Sequence, residues 1–213
     1  ALKQLLETIR GNYTIAPGAE ITLEANPDDL TPAYLHTLNE LGINRLSIGI
    51  QSFRDADLKL MNRAHTAAEA EQVVQNAQAA GFTNITIDLI YGIPGLSEND
   101  WEENIRKALA LNVTHISAYC LTVEPKTALA HFVNEGKIQP VDDEAAASQF
   151  LILLQRLREN GFVHYEISNF GKPGCFSQHN SNYWKGVPYI GIGPSAHSYD
   201  GTNRRWNMPN NAR

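Results

Sequence analysis

Apolar residues along the chain switch between two periods. Glu20 to Leu23, Arg45 to Ile50, Asn84 to Ile90 and His115 to Leu121 are short and rich in β-branched residues, with the alternation of a strand. Thr31 to Leu41, Thr66 to Ala80 and Ser97 to Leu111 carry the longer helical period. Strands that alternate with helices predict a parallel sheet, because parallel neighbours need a long crossover. The helix starts agree. Thr31 precedes Pro32, and Thr66 to Glu69 and Ser97 to Asp100 have the spacing of a hydroxyl cap and an acidic partner. The helix ends share one joint: Leu41-Gly42-Ile43, Ala80-Gly81-Phe82, Leu111-Asn112-Val113 and Asn160-Gly161-Phe162. Gly or Asn there suits a left-handed C-terminal residue, and the apolar residue after it covers the last turn. The repetition predicts four αβ units.

Side-chain parity carries the alternation toward chemistry. Ile21 and Leu23, then Leu46, Ile48 and Ile50, then Ile85, Ile87 and Leu89 share the face that packs under helices. The opposite face ends in Glu24, Gln51 and Asp88, at or near the carboxyl ends of their strands. In a doubly wound sheet helices would bury both faces and leave such polar groups hard to satisfy, whereas in a βα barrel that face lines the lumen and that end carries the site. The expected fold is therefore a barrel or partial barrel of the (β/α) TIM-like type, spanning residues 1–125. With Arg63, the three polar residues suit a polar small molecule: carboxylates for ribose hydroxyls or an amine, Gln51 and Arg63 for a carboxylate. They supply no obvious pair of nucleophile and base.

From about Lys126 the grammar changes. A long amphipathic helix is expected from Asp143 to Asn160 and a strand from Val163 to Ile167, followed by an irregular polar and aromatic stretch. Residues 126–213 then hold the remaining barrel edge and the start of an α+β region. The chain begins in what reads as a helix, Leu2 to Ile9, and ends at Asn210 to Arg213 without a closing element. Further strands and a loop upstream are expected.

Composition narrows the classes. A net charge of −6 gives no basic footprint for nucleic acid. No run of about 18 apolar residues suggests a transmembrane helix, and two cysteines do not make a disulfide scaffold. A cytoplasmic protein is the expectation. Cys120 is expected to be a small buried hydrophobe and Cys175 a loop residue, too few thiolates for an iron–sulfur site. Gly191-x-Gly193-x-x-Ala196 matches a dinucleotide fingerprint without its strand and helix, and Gly92-Ile93-Pro94-Gly95 is a turn. His179-Asn180-Ser181-Asn182-Tyr183-Trp184 is read as a loop in which the imidazole either bonds a carbonyl or ligates haem iron beside flat aromatic surface.

Taken together, Leu23-Glu24-Ala25-Asn26-Pro27, Asn44 to Phe53, Asn62-Arg63-Ala64-His65, Ile87 to Gly95 and Tyr165 to Phe170 resemble the radical S-adenosylmethionine family of oxygen-independent coproporphyrinogen oxidases and their relatives. Within it, the HNxxYW string from His179 to Trp184 resembles the haem-chaperone branch. The resemblance implies a partial barrel holding a 4Fe–4S cluster and S-adenosylmethionine. It matches Glu24, Gln51, Arg63 and Asp88, and Thr122 through its backbone, to cofactor-contacting positions, and makes His179 the candidate axial ligand of haem. The cluster cysteines and a glycine-rich second-strand motif would lie upstream of Ala1. The implied partners are haem, haem-accepting proteins with a membrane protein a candidate among them, and an electron donor for the cluster. Two alternatives stay open: a coproporphyrinogen III oxidase, which decarboxylates propionates to vinyls, and a cofactor-free interaction module.

Overall fold

The computed structural model describes residues 1–210, so the chain end at Asn211 to Arg213 lies outside the described residues. Two compact units are present, Ala1–Phe176 and a second that begins at Ser177.

The first unit alternates as its sequence demands. Helix α1 (Leu2–Asn12) precedes β1 (Thr22–Ala25), α2 (Pro32–Glu40), β2 (Arg45–Gln51), α3 (Asp55–Leu60), α4 (Ala67–Ala79), β3 (Ile85–Tyr91), α5 (Glu98–Ala110) and β4 (His115–Cys120). Then come α6 (Ala128–Asn134), α7 (Asp143–Glu159), β5 (Val163–His164) and β6 (Asn169–Gly171). The caps act as expected: the Thr31 hydroxyl accepts from the Tyr34 amide, Ser97 accepts from Asp100, and Thr66 and Glu69 form a reciprocal capping box. Gly42, Gly81, Asn112 and Gly161 all have left-handed φ, between 53° and 94°. At three of these joints the next amide reaches back to close the turn, Ile43 to the Leu38 carbonyl, Phe82 to Ala77 and Phe162 to Leu157, at 3.0 to 3.1 Å. All four covering residues, Ile43, Phe82, Val113 and Phe162, are buried.

The sheet has the order β1-β2-β3-β4-β6-β5, with β1 to β4 parallel. The core lies on its helix side, where Leu46, Ile48, Ile50, Ile87, Leu89 and Ile116 are buried under Leu35, Leu38, Val74, Trp101, Ile105 and Leu153.

Three expectations are corrected. The fourth αβ unit does not add a parallel strand. The strand expected from Val163 to Ile167 stops at His164, and β6 runs antiparallel to both β4 and β5. The cause is local: the Glu166 carboxylate accepts from the Ser168 amide at 3.0 Å and from the Asn169 side-chain amide, closing a turn where the strand would have continued. The stretch around His179 is not a loop but α8 (Gln178–Trp184), started by the Ser177 hydroxyl, which accepts from the Asn180 amide. Cys120 is exposed at the end of β4 rather than buried.

The second unit, taken by itself, holds α8 and the hairpin β7 (His197–Tyr199) and β8 (Arg204–Trp206). Tyr189 bridges to Tyr199 as a third, one-residue rung.

Candidate functional site

The polar set from the strand ends comes together as two adjoining groups. In the first, Asp88 on β3 lies between two hydroxyls: Ser47 on β2 at 3.4 Å, and Ser117, directly opposite on β4. Burial pushes the Asp88 carboxyl up to about 6, and the Glu24 carboxylate adds to the rise, while Ser117, Ser47 and Arg45 oppose it. Tyr119, two residues beyond Ser117, has its phenol pushed up by burial and by the charges of Asp88, Glu166 and Glu24. Three carboxylates and a phenol therefore share one field.

In the second group, Gln51 reaches the site by an irregular route. A register shift between Ile48 and Gln51, with Gln51 at φ 69°, interrupts the alternation. The Gln51 side chain then folds back over Gly49, where an added Cβ would stand 2.8 Å from Nε2 and 3.8 Å from Asn26 Oδ1. Asn26 Oδ1 also accepts from Arg63 Nη1 at 3.4 Å. Arg63 is held by a joint like the helix ends above: Asn62 is left-handed and the Arg63 amide returns to the Leu58 carbonyl at 2.9 Å. Thr122 follows β4 after Leu121, whose amide bonds the Tyr91 carbonyl at 2.8 Å, and it is exposed.

Beneath, at the amino ends of the strands, lies a buried polar floor. Arg45 faces Glu20 at 3.8 Å and donates to the Thr86 hydroxyl; Thr86 meets His115 Nδ1 at 3.1 Å, and His115 Nε2 meets the Tyr165 hydroxyl at 2.7 Å. Burial and then Arg45 push His115 down to about 3, so the imidazole is neutral. A buried polar network at the amino ends of barrel strands, away from the end that carries sites, serves the fold rather than the chemistry.

The turn after β3 is clamped from α7. Gln149 accepts from the Gly92 amide and donates to the Leu96 carbonyl, both at 2.8 Å, and its own carbonyl accepts from Trp101 Nε1. Gly92 has φ 72°, and a Cβ there would lie 3.0 Å from Cys120 Sγ. A side chain there would meet both a strained left-handed backbone and close neighbours.

Sequence reasoning did not single out Ser47, Ser117, Tyr119, Glu166 or Asn169. The signal was available for the first three: they share the lumen parity of Glu24 and Asp88. Glu166 and Asn169 come from the hairpin and carry no strand-parity signal.

His179 stands on α8 in the second unit, exposed, with its ring edge-on to Tyr183 at 4.8 Å and 85°. Tyr183 in turn packs edge-on to Tyr189 at 4.9 Å. The i, i+4 spacing of His179 and Tyr183 puts both on one helix face.

The donor set fits a nucleoside that carries an amino acid. Asp88 and Glu24 suit hydroxyls, and Arg63, Gln51 and Asn26 suit a carboxylate. It does not fit an iron–sulfur cluster: the chain has two cysteines, and among the described residues no group of three or more His, Cys, Asp or Glu side chains is arranged to hold a metal ion. Nor, among the described residues, is any helix long and apolar enough to cross a membrane.

Comparison with known proteins bears on the same region. Residues 1–108 match the family model described as the radical SAM superfamily. The heme chaperone HemW of Mycobacterium tuberculosis is 39% identical over 207 residues, 97% of this chain and 53% of that protein. HemW of Bacillus subtilis is 38% identical over 97% of this chain and 55% of its own length. The mitochondrial radical S-adenosyl methionine domain-containing protein 1 of Danio rerio is 37% identical over 91% of this chain. The chain thus spans about half the length of the curated relatives it matches. Among solved structures, the coproporphyrinogen III oxidase HemN of Escherichia coli superposes with a TM-score of 0.82 at 23% identity, over 98% of this chain and 51% of that one.

Proposed function

This chain belongs to the radical SAM superfamily, and on that premise we propose that it acts as a haem chaperone, binding haem and delivering it to haem-requiring proteins. The observation that carries the reading is the 39% identity to a heme chaperone over 97% of the chain. The competing reading, coproporphyrinogen oxidation, has a likeness of fold alone behind it.

In the barrel, Asp88 and Glu24 would accept from the ribose hydroxyls of S-adenosylmethionine, Arg63 and Gln51 would hold its amino-acid carboxylate, and the backbone at Thr122 would border it. Held there, S-adenosylmethionine would supply one-electron chemistry only beside a 4Fe–4S cluster and an electron donor. The cysteines for such a cluster are not among these 213 residues. Asp88, with its carboxyl near 6, is ionised at neutral pH and ready to accept.

In the second unit His179 would ligate haem iron as neutral imidazole. The edge contact with Tyr183 restrains the ring, and Tyr183 and Trp184 offer flat surface to a porphyrin face. Haem titration followed at the Soret band tests the assignment: His179→Ala should weaken binding at least about tenfold, equivalent to ~1.4 kcal/mol. Equal affinity removes His179 as the ligand. Formation of vinyl groups from coproporphyrinogen by the reconstituted full-length protein reverses the choice in favour of the oxidase.

A further inference from the structure

We propose that Glu166 and Asn169, on the β5–β6 hairpin, are positioning residues that turn the Ser117 hydroxyl away from Asp88 and so keep that carboxylate an open acceptor. The proposal rests on the reading of Asp88 as a cofactor contact and deepens it. Neither residue touches the cofactor in that reading.

The geometry fixes the direction of each hydrogen bond. The Glu166 carboxylate is tied to its own turn by the Ser168 amide at 3.0 Å. As a carboxylate it only accepts, so the Asn169 side chain must present its NH2 group to it, which is the orientation found. The other end of the amide, Oδ1, then faces Ser117 Oγ at 2.7 Å. An amide oxygen also only accepts, so Ser117 must donate. A hydroxyl has one proton, and here Asn169 takes it. Turning the amide over would set its oxygen against the Glu166 carboxylate, acceptor against acceptor.

Strand register makes this matter. Asn169 stands opposite Ser117, and Ser117 opposite Asp88, so the chain of bonds crosses β6, β4 and β3 in one row. Ser117 also lies within reach of Asp88, where a bond from it would hold the carboxyl down, but its bond to Asn169 is the short one, at 2.7 Å; with the proton spent there, the protein hydroxyl left to Asp88 is Ser47, at a long 3.4 Å. The charged and titratable groups that face Asp88 are Glu24 from β1, Arg45 from β2 and Tyr119 from β4, with Glu166 acting on the same field through Tyr119. None of the nearer groups gives the carboxylate a short, charge-assisted donor. Its lone pairs are left for a ligand hydroxyl.

The test is titration of the Asp88 side-chain carboxyl by carbon NMR on the whole chain labelled at aspartate. Asn169→Ala, which changes no charge, frees the Ser117 proton to turn to Asp88, and the midpoint should fall by about half a pH unit or more, since a bond donated to the charged form favours it. In a Ser117→Ala background the same substitution should produce no shift. A midpoint that stays or rises in Asn169→Ala, or falls equally without Ser117, overturns the proposal. If Asn169→Ala does not fold, Glu166→Ala, which removes the acceptor and lets the Asn169 amide turn over, serves in its place. Its loss of charge persists without Ser117, so the diagnostic is the part of the shift that Ser117→Ala abolishes, and no such part refutes the idea. Adding S-adenosylmethionine to the parent separates the two readings. An Asp88 carboxyl that ignores saturating cofactor sinks its role as a cofactor contact, while the variant titrations alone decide the polarity of the bonds.

Discussion

Replacing Gln149 by leucine should destabilise the first unit well beyond an ordinary helix substitution. Gln149 is 1% exposed, and its side chain is the partner of both the Gly92 amide and the Leu96 carbonyl, in buried segments either side of Ile93 and Pro94. Leucine has nearly the same volume, so no large cavity opens. The loss is of partners. Each buried backbone group left without one costs about 1–3 kcal/mol, or about 2–6 for the pair. The Trp101 bond to the Gln149 backbone carbonyl survives the change, and the apolar leucine recovers on the order of 1 kcal/mol. A net loss of about 1–5 kcal/mol remains, a large share of the ~5–15 kcal/mol that holds a typical domain. Urea unfolding followed by circular dichroism measures it, with an unchanged slope and a lower midpoint expected. Gln149→Glu provides the contrast: at neutral pH it can still accept from Gly92 but cannot donate to Leu96, so its loss should be severe and should ease on acidification. A Gln149→Leu variant as stable as the parent would show that the turn finds other partners and that the clamp is not what holds it.

Asp88→Asn should raise stability at neutral pH while abolishing S-adenosylmethionine binding. With its carboxyl raised from 3.8 to about 6, the folded state holds the proton more tightly, so this group favours the fold fully below about 3.8 and loses that contribution as pH rises through about 6. At 1.36 kcal/mol per unit the gain at pH 7 is at most about 3 kcal/mol, and an unchanged unfolding midpoint at pH 7 contradicts it. Gly49→Ala should leave stability within about 1 kcal/mol, because the new Cβ meets only the movable end of Gln51, yet weaken S-adenosylmethionine binding measured by calorimetry about tenfold; parental affinity would release Gln51 from the site. Gly92→Ala should cost about 1–3 kcal/mol in thermal unfolding, from a left-handed backbone and contacts of 3.0 Å to Cys120 Sγ and 3.2 Å to Ala146 Cβ. A neutral result would mean that β4 and α7 yield more easily than their packing indicates.

Most of what could be read from the sequence lies where one rule acts alone. Caps at Thr31, Thr66 and Ser97 and the joints at Gly42, Gly81, Asn112 and Gly161 are short-range chemistry, and they stand where the residue types put them. Glu24 and Asp88 followed from alternation. Gln51 was legible as a candidate but not in its geometry, because a register shift rather than simple parity delivers it. The hairpin after α7 was not legible: Val163 to Ile167 has strand composition, and a side-chain bond from Glu166 overrides it. Helix α3 is six residues long and α8 seven, too short for a periodic signal, and α8 is built on Asn and Ser residues of modest helix preference. The hydroxyls at Ser47 and Ser117 lay on the expected face but looked ordinary until register set them around Asp88.

The two margins of the six-stranded sheet are unequal. On one side β5 is two residues long and pairs antiparallel, so it offers few free backbone groups to another chain. On the other, β1 is four residues long and parallel to its neighbour. A stranger's strand seeking an edge to join would find little purchase at β5, one of the ways a sheet resists clumping with its own kind. The longer margin is that of β1, the strand on which Glu24 stands.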